Sequence, residues 1–241
     1  MKIKAYGKTD VGRKRQINQD SILVNARHHI YAVADGMGGH KGGEVASAMA
    51  IETLQEVLAH EATTSSPVES RLETAYKLAN DRIYETSHKA SNKDLEGMGT
   101  TMVAFYATQH KIFISNVGDS RAYLYRSKKI WQITEDHSLV QEQIRAGIID
   151  PDKAEAVIGK NVITRSVGYD QTVKIDVVFR TYTKGDVFLI CSDGLTGMVS
   201  NTNIARILAS NPIEKVAQIC IDEANTAGGV DNISCLVISL N

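Results

Sequence analysis

Five aspartates carry the chemistry most readily read from this chain. Asp20, Asp35, Asp119, Asp193 and Asp231 each sit at the end of an apolar run or beside a glycine turn, and strand ends can gather such side chains at one edge of a fold. Hard divalent cations take oxygen ligands, and magnesium or manganese binds through a few carboxylates while keeping several waters. Converging aspartates therefore point to a two-metal site, which binds a phosphoryl group and activates the water that attacks it. Singly, each aspartate has a plainer explanation, because Asp-Gly is a common turn pair and an Asp after a strand often caps a helix. Ala32-Val33-Ala34-Asp35-Gly36 and Ile190-Cys191-Ser192-Asp193-Gly194, however, are two copies of one device. Each reads as a buried apolar strand ending in a carboxylate, followed by a glycine whose exposed carbonyl can approach an ion.

Composition narrows the setting for that chemistry. At 241 residues, 43% hydrophobic and 23% charged, the chain fits one globular domain over 1–241 with a full-sized core. Lys+Arg 27 against Asp+Glu 28 leave a formal charge of -1, so no global basic field exists to hold nucleic acid or an anionic membrane. Cys191, Cys220 and Cys235 are far apart and lack CxxC spacing, which argues against a disulfide framework and a zinc site and for a reducing compartment. The N-terminus lacks the apolar core of a signal peptide, and no apolar run approaches the roughly 20 residues that span a bilayer. The start Met and the strand-like finish at Val237 to Leu240 read as natural ends. The expectation is a complete, soluble, cytoplasmic protein, monomeric by default.

Hydrophobic periodicity supplies the elements that must position the aspartates. Ile3 to Thr9, Ser21 to Asn25 and Ile30 to Ala34 read as strands. Gly43 to about His60 reads as an amphipathic helix with Val45, Ala48, Met49, Glu52 and Thr53 on one surface and Leu54, Val57 and Leu58 extending its apolar face. A second helix follows Pro67, with Val68, Leu72, Ala75, Tyr76, Ala79 and Ile83 in period. Thr100 to Thr108, Lys111 to Val117, Arg121 to Tyr125 and Ile130 to Ile133 predict a four-stranded antiparallel meander. Ser138 to Ala146 reads as a helix, Gly147 to Gly168 as a surface insert, and Thr172 to Thr181 and Asp186 to Cys191 as strands. Ile204 to Leu208 and Ile213 to Ala224 read as helices, and Ile233 to Ser239 as a last strand. Strands mixed with paired helices, without strict alternation, favour an α+β layered fold.

Several motifs appear in order: Arg15-Gln16-Ile17-Asn18-Gln19-Asp20, Asp35-Gly36-Met37-Gly38-Gly39-His40, Gly43-Glu44, Gly99-Thr100-Thr101, Asn116-Val117-Gly118-Asp119-Ser120-Arg121, Asp136-His137-Ser138, Ser192-Asp193-Gly194 and Asp231-Asn232. From about Thr9 to Ser239 the chain resembles bacterial metal-dependent serine/threonine protein phosphatases of type 2C. The resemblance implies a four-layer αββα sandwich, two antiparallel sheets between helical layers, with a flap insert over about 141–168. It implies hydrolysis of phosphoserine and phosphothreonine by a metal-activated water at a binuclear Mn2+ or Mg2+ centre, without a covalent phosphoenzyme. Phosphorylated proteins would be the substrates, among them a serine/threonine kinase and the proteins it modifies.

By the same resemblance, Asp35 would bridge two ions, with the Gly36 carbonyl on one and Asp193 and Asp231 on the other. Asp20 would hold a metal-bound water. Asp119 and Asp193 match the ligands of a weaker third ion, and Arg15, five residues before Asp20, stands where the family places its phosphate-binding arginine. Two departures bear on function. Where animal relatives have a histidine two residues after the bridging aspartate this chain has Met37, which leaves His40 as the nearest titratable group to protonate a leaving alkoxide. Val157-Ile158-Gly159 stand where many bacterial relatives carry His-Pro in the flap. His137, Met98 and Cys191 read as structural. The rival readings are a phosphatase-like module that only senses metal or phosphoprotein, and a metal-dependent nuclease. The first would be favoured by loss of a ligand, and the second by a basic stripe; neither feature is present.

Overall fold

The computed structural model describes residues 2–38, 42–60, 66–89, 93–150 and 162–241. Strands whose side chains alternate between two faces here assemble into two antiparallel sheets. One has the order β1 (Ile3–Asp10), β11 (Ile233–Leu240), β10 (Val187–Cys191), β7 (Arg121–Arg126), β8 (Lys129–Gln132). The other runs β2 (Asp20–Asn25), β3 (Ile30–Met37), β5 (Met102–Ala107), β6 (Ile112–Val117), β9 (Asp176–Arg180), with the two-residue β4 (Gly99–Thr100) against β3. Every residue of β6 and of β11 is buried, as it must be in strands covered on both faces.

Three apolar layers hold the stack together. Tyr31, Val33, Phe105 and Ile114 of one sheet meet Phe188, Ile190, Leu236 and Ile238 of the other. Helices α1 (Gly42–Ala59) and α2 (Val68–Ser87) cover the outer face of the second sheet through Leu54, Leu58, Leu72 and Tyr76. Helices α4 (Asp193–Thr196), α5 (Asn201–Ser210) and α6 (Ile213–Thr226) cover the first, where Ile204, Ile207, Val216 and Cys220 pack on Tyr123, Leu189 and Cys235. The result is the four-layer αββα sandwich that the family resemblance implied. Helix starts are chemically marked. Pro67 and Pro212 precede α2 and α6, while Ser138 caps α3 (Leu139–Arg145) and Ser200 caps α5 by accepting the amides of Gln141 and Asn203.

Four expectations are corrected. The predicted meander is two hairpins in different sheets: β5 pairs with β6, and β7 pairs with β8 and β10. Gly118-Asp119-Ser120 is therefore a crossover between sheets and not a hairpin turn. The buried face of α1 is Ala46, Ala50, Ile51, Leu54, Val57 and Leu58, with Val45, Ala48 and Met49 only partly covered and Glu52 exposed. In that helix, small residues let it approach the sheet, so burial does not follow side-chain size. Within the expected surface insert, residues 151–161, including Val157-Ile158-Gly159, lie outside the described residues, but Val167 is wholly buried and bridged to Thr100. The strand expected from Thr172 starts only at Asp176, the preceding backbone being held by Asn80, whose amide donates to Asp170 O and Gln171 O.

Asp186, at the entrance to β10, is a buried charge on which the neighbouring turn is built. Its carboxylate accepts from Arg126 Nε and Nη2, both at 2.7 Å, and from Thr183 N at 2.8 Å and Thr183 Oγ1 at 3.0 Å. Burial pushes its pKa up, but Arg126 and Thr183 outweigh that and hold the carboxyl below the ordinary range. A depressed folded pKa contributes stability that is present above the unfolded pKa of about 3.9 and lost as pH falls through the folded value. Asp186→Ala is expected to lower the unfolding free energy at pH 7 by about 2 kcal/mol in urea titration, with the difference from wild type shrinking below about pH 4. A difference under about 0.5 kcal/mol at pH 7 would show that the network does not hold the turn.

Candidate metal centre

The carboxylates converge where strands of both sheets end. Asp20 and Asp35 are cross-strand partners at one end of the β2–β3 hairpin. Asp35 owes its position to a threonine pair. Its carbonyl accepts from Thr101 N at 2.8 Å and Thr100 Oγ1 at 2.9 Å, and its amide donates to Thr101 Oγ1 at 3.1 Å. Thr101 Oγ1 also lies 2.7 Å from Ser120 Oγ, which ties the Asp35 strand to the crossover carrying Asp119. That crossover is held from beneath by His137. The Gly118 amide donates to His137 Nδ1 at 3.1 Å, so the ring proton sits on Nε2, 3.1 Å from Asp176 Oδ2. Burial lowers the pKa of His137, in keeping with a neutral structural imidazole.

The first sheet brings Asp193 and Asp231. Asp193 opens α4 straight after β10, and Asp231 precedes β11. Asn232 pins this side of the site. Its amide nitrogen donates to Val11 O at 2.9 Å and Ile17 O at 3.0 Å, and its Oδ1 accepts from Gln19 N at 2.8 Å. The loop that carries Arg15 is thus fastened beside Asp231, and Arg15 Nη2 donates to Asp231 Oδ2 at 2.8 Å. Arg15 remains half exposed at the rim.

Asp35, Asp119, Asp193 and Asp231 line one cavity of about 280 Å³, together with Gly36 and Arg15. Asp20 does not line it. It lies just behind, buried, with Ser192 Oγ donating to its Oδ2 at 2.8 Å and its Oδ1 without a hydrogen-bond partner. His40, expected as the proton donor, lies outside the described residues. Gly36 is confined: a Cβ there would run into the carbonyl oxygens of Gly43 and Gln19, so any side chain would push α1 away from the strand end.

Crowding sets the electrostatics. Burial, then the charges of Asp20, Asp193, Asp119 and Asp231, hold the Asp35 carboxyl well above the usual carboxylate range. Asp119 is pushed up to about 7 by burial and by Asp193 and Asp136. Asp20 is pushed up to about 6, burial outweighing the bonds from Ser234 and Ser192. Asp193 is raised by burial and Asp231, against the opposing effects of Asp35, Arg121 and Arg15. A divalent cation is the natural counter-charge for carboxyls whose ionisation is resisted by one another. The donor set, all hard oxygens with an unpartnered Asp20 Oδ1 behind them, fits Mn2+ or Mg2+. Among the described residues no three His, Cys, Asp or Glu side chains are grouped so as to hold an ion by themselves. An open, water-sharing arrangement is what these ions use.

Sequence reasoning missed the parts that brace the aspartates. Thr100, Thr101, Ser192, Asn232 and His137 all fall inside motifs quoted above, but a polar residue beside a ligand carries no mark of what it bonds to. Known proteins resemble the chain over most of its length. Residues 10–220 match the protein phosphatase 2C family. The serine/threonine phosphatase stp of Listeria monocytogenes serotype 4b is 39% identical over 237 residues, covering 96% of this chain and 93% of that protein. Protein phosphatase PhpP of Streptococcus pneumoniae is 36% identical over 238 residues, covering 97% and 96%. The Mycobacterium tuberculosis serine/threonine phosphatase PstP/Ppp superposes with a TM-score of 0.92 at 33% identity, covering 99% of both chains. A structure of the PstP catalytic domain in complex with two manganese ions gives 0.88 at 32%, again covering 99% of both. A shared fold, a family match over most of the length and relatives aligned almost end to end leave one conclusion: the chain belongs to the protein phosphatase 2C family.

Proposed function

We propose that this protein is a serine/threonine protein phosphatase that hydrolyses phosphoserine and phosphothreonine at a binuclear Mn2+ or Mg2+ centre. The observation that carries the reading is the single cavity into which both sheets deliver Asp35, Asp119, Asp193 and Asp231, with Arg15 on its rim. Asp35, the Gly36 carbonyl, Asp193 and Asp231 would hold the two inner ions, Asp20 would orient a water beside them, and Asp119 with Asp193 would serve a weaker outer one. When bound, the ions polarise the phosphoryl oxygens and lower the pKa of water to near neutrality.

The chain's own groups supply the rest. Arg15 spends one donor on Asp231, which leaves its remaining N–H groups free to bind a dianionic phosphoryl group at the cavity mouth. The thiol of Cys191, two residues before Asp193, is fully buried and pushed up by that burial, so no thiolate is available for a covalent route. His40 is the proposed proton donor to the leaving alkoxide. The reading extends to one catalytic domain over 1–241 with a flap at about 141–168. It further extends to a monomer acting in the cytoplasm on phosphorylated proteins, including a kinase and its substrates. Among the described residues no helix is long and apolar enough to cross a membrane.

Incubation with a phosphoserine peptide and, separately, with DNA, in manganese or in chelator, tests the function. Phosphate release from the peptide in manganese alone is expected. Cleavage of DNA, or no turnover by folded metal-loaded protein, would overturn the reading. Asp35→Asn and Asp193→Asn should each cut kcat by more than about 100-fold and weaken Mn2+ binding in calorimetry. Because each removes a charge from a mutually repelling set, the metal-free variants should melt no lower than metal-free wild type. Near wild-type turnover in either variant would remove that residue from the ligand set. Arg15→Ala should lower kcat/KM by about 10–100-fold with Mn2+ affinity retained; unchanged kinetics would leave Arg15 a rim residue only.

A further inference from the structure

At the end of the sandwich away from the carboxylates, three turns line an open cavity of about 810 Å³. They are the β2–β3 turn with Arg27, His28 and His29, the β5–β6 turn with Thr108, Gln109 and His110, and the β9–β10 turn with Tyr182 and Lys184. Asp20 and Asp35 lie at the opposite end of the β2–β3 hairpin, so the six residues of β2 alone separate the two places by about 20 Å. The volume is that of a site for a drug-sized or cofactor-sized ligand.

The walls are cross-tied. The Ala107 amide donates to His29 O at 3.1 Å, which joins the first turn to the second. Tyr182 Oη donates to Gln109 O at 2.6 Å, which joins the second to the third. Thr108 and Lys111 close the second turn through Thr108 N to Lys111 O at 2.8 Å, and the third is fastened by the Asp186 bonds described above. His29 takes φ +55° to make its turn, a conformation more common for histidine than for most side chains.

Charge is the second feature. The lining side chains include the cations Arg27 and Lys184 and three imidazoles, and no aspartate or glutamate, while the α-carboxylate of Asn241, the last residue of the sequence, offsets part of that charge. A concave wall with an excess of one sign focuses its field on a ligand of the opposite sign. We propose that this end of the sandwich is a second binding site, for a small organic polyanion of nucleotide size bearing phosphoryl or carboxylate groups. Arg27 and Lys184 supply the charge, and the imidazoles and Tyr182 supply hydrogen-bonding groups along the walls. The site is independent of the reaction at the carboxylates.

Adenosine 5′-diphosphate and propane-1,2,3-tricarboxylate, titrated separately into the Mg2+-loaded protein with backbone amides followed by NMR, test the proposal and distinguish the two anion sources. The expected result is saturable shifts at 27–29, 108–110 and 182–184 with a Kd below about 1 mM for at least one probe. In Arg27→Ala/Lys184→Ala, both residues being exposed, the affinity at those amides should fall by at least about tenfold, while phosphopeptide turnover stays at the wild-type value. Shifts confined to residues 15, 35–38, 119, 193 and 231, no saturation by either probe, or undiminished affinity in the double variant would overturn it. The binding readouts do not depend on whether the carboxylate site hydrolyses phosphoserine.

Discussion

Carboxyl groups that share one cleft repel each other and lose hydration, and this unfavourable concentration of charge is what the surrounding structure has to withstand. Asp35 feels four other aspartates, and its burial alone would disfavour ionisation. Only one cation, Arg15, makes an ion pair with any of the four cavity-lining aspartates among the described residues. The fold withstands the crowding with hydrogen bonds from neutral groups that fix the backbone at Asp35 and beside Asp231 and hold the Asp20 carboxylate itself. Thr100 and Thr101 hold Asp35, Ser192 holds Asp20, and Asn232 holds the loop beside Asp231. Such groups do not titrate near neutrality, so these supports persist whatever the protonation state of the carboxylates.

The two-sheet stack is what makes the convergence possible. A single sheet would space its strand ends about 4.8 Å apart in a row, and four carboxylates along one edge would reach a common point poorly. Two sheets packed face to face bring strand ends in from both sides of a cleft. Asp35 comes from the second sheet, Asp193 and Asp231 from the first, and Asp119 from the crossover that joins them. The same apolar layer between the sheets, built on Phe105, Phe188, Ile190 and Leu236, sets the width of that cleft. Core packing and chemistry are therefore coupled through the inter-sheet spacing.

The crossover shows how a scaffold residue becomes part of the site's mechanics. His137 binds Gly118 through its ring and also donates its own backbone amide to Gly118 O at 2.9 Å. Its Nε2 meets Asp176, which Arg165 also contacts at 3.1 Å, and its carbonyl accepts from Thr164 N. The turn bearing Asp119 is in this way linked to the segment that closes the insert. The Asp119 carboxylate is thus supported by one continuous network.

Local chemistry was legible in the chain alone. The five aspartates, the Asp-Gly pairs after apolar strands and the order of strands and helices all follow from residue types and periods that need no partner to be read, whereas Arg15 was marked only by the family resemblance. The layered α+β fold was legible for the same reason, since amphipathic helices and half-buried strands have few ways to cover each other. Tertiary structure alone decided which strands share a sheet, because alternation marks a strand's faces but not its neighbours, and the meander divided accordingly. It also decided that Asp20 stands behind the cavity and not in its wall, which face of α1 is buried, and that Thr101, Asn232 and His137 brace the segments bearing the aspartates. Those are contacts between residues up to 221 positions apart, and a hydrogen bond across such a separation leaves no trace in the local sequence at either end.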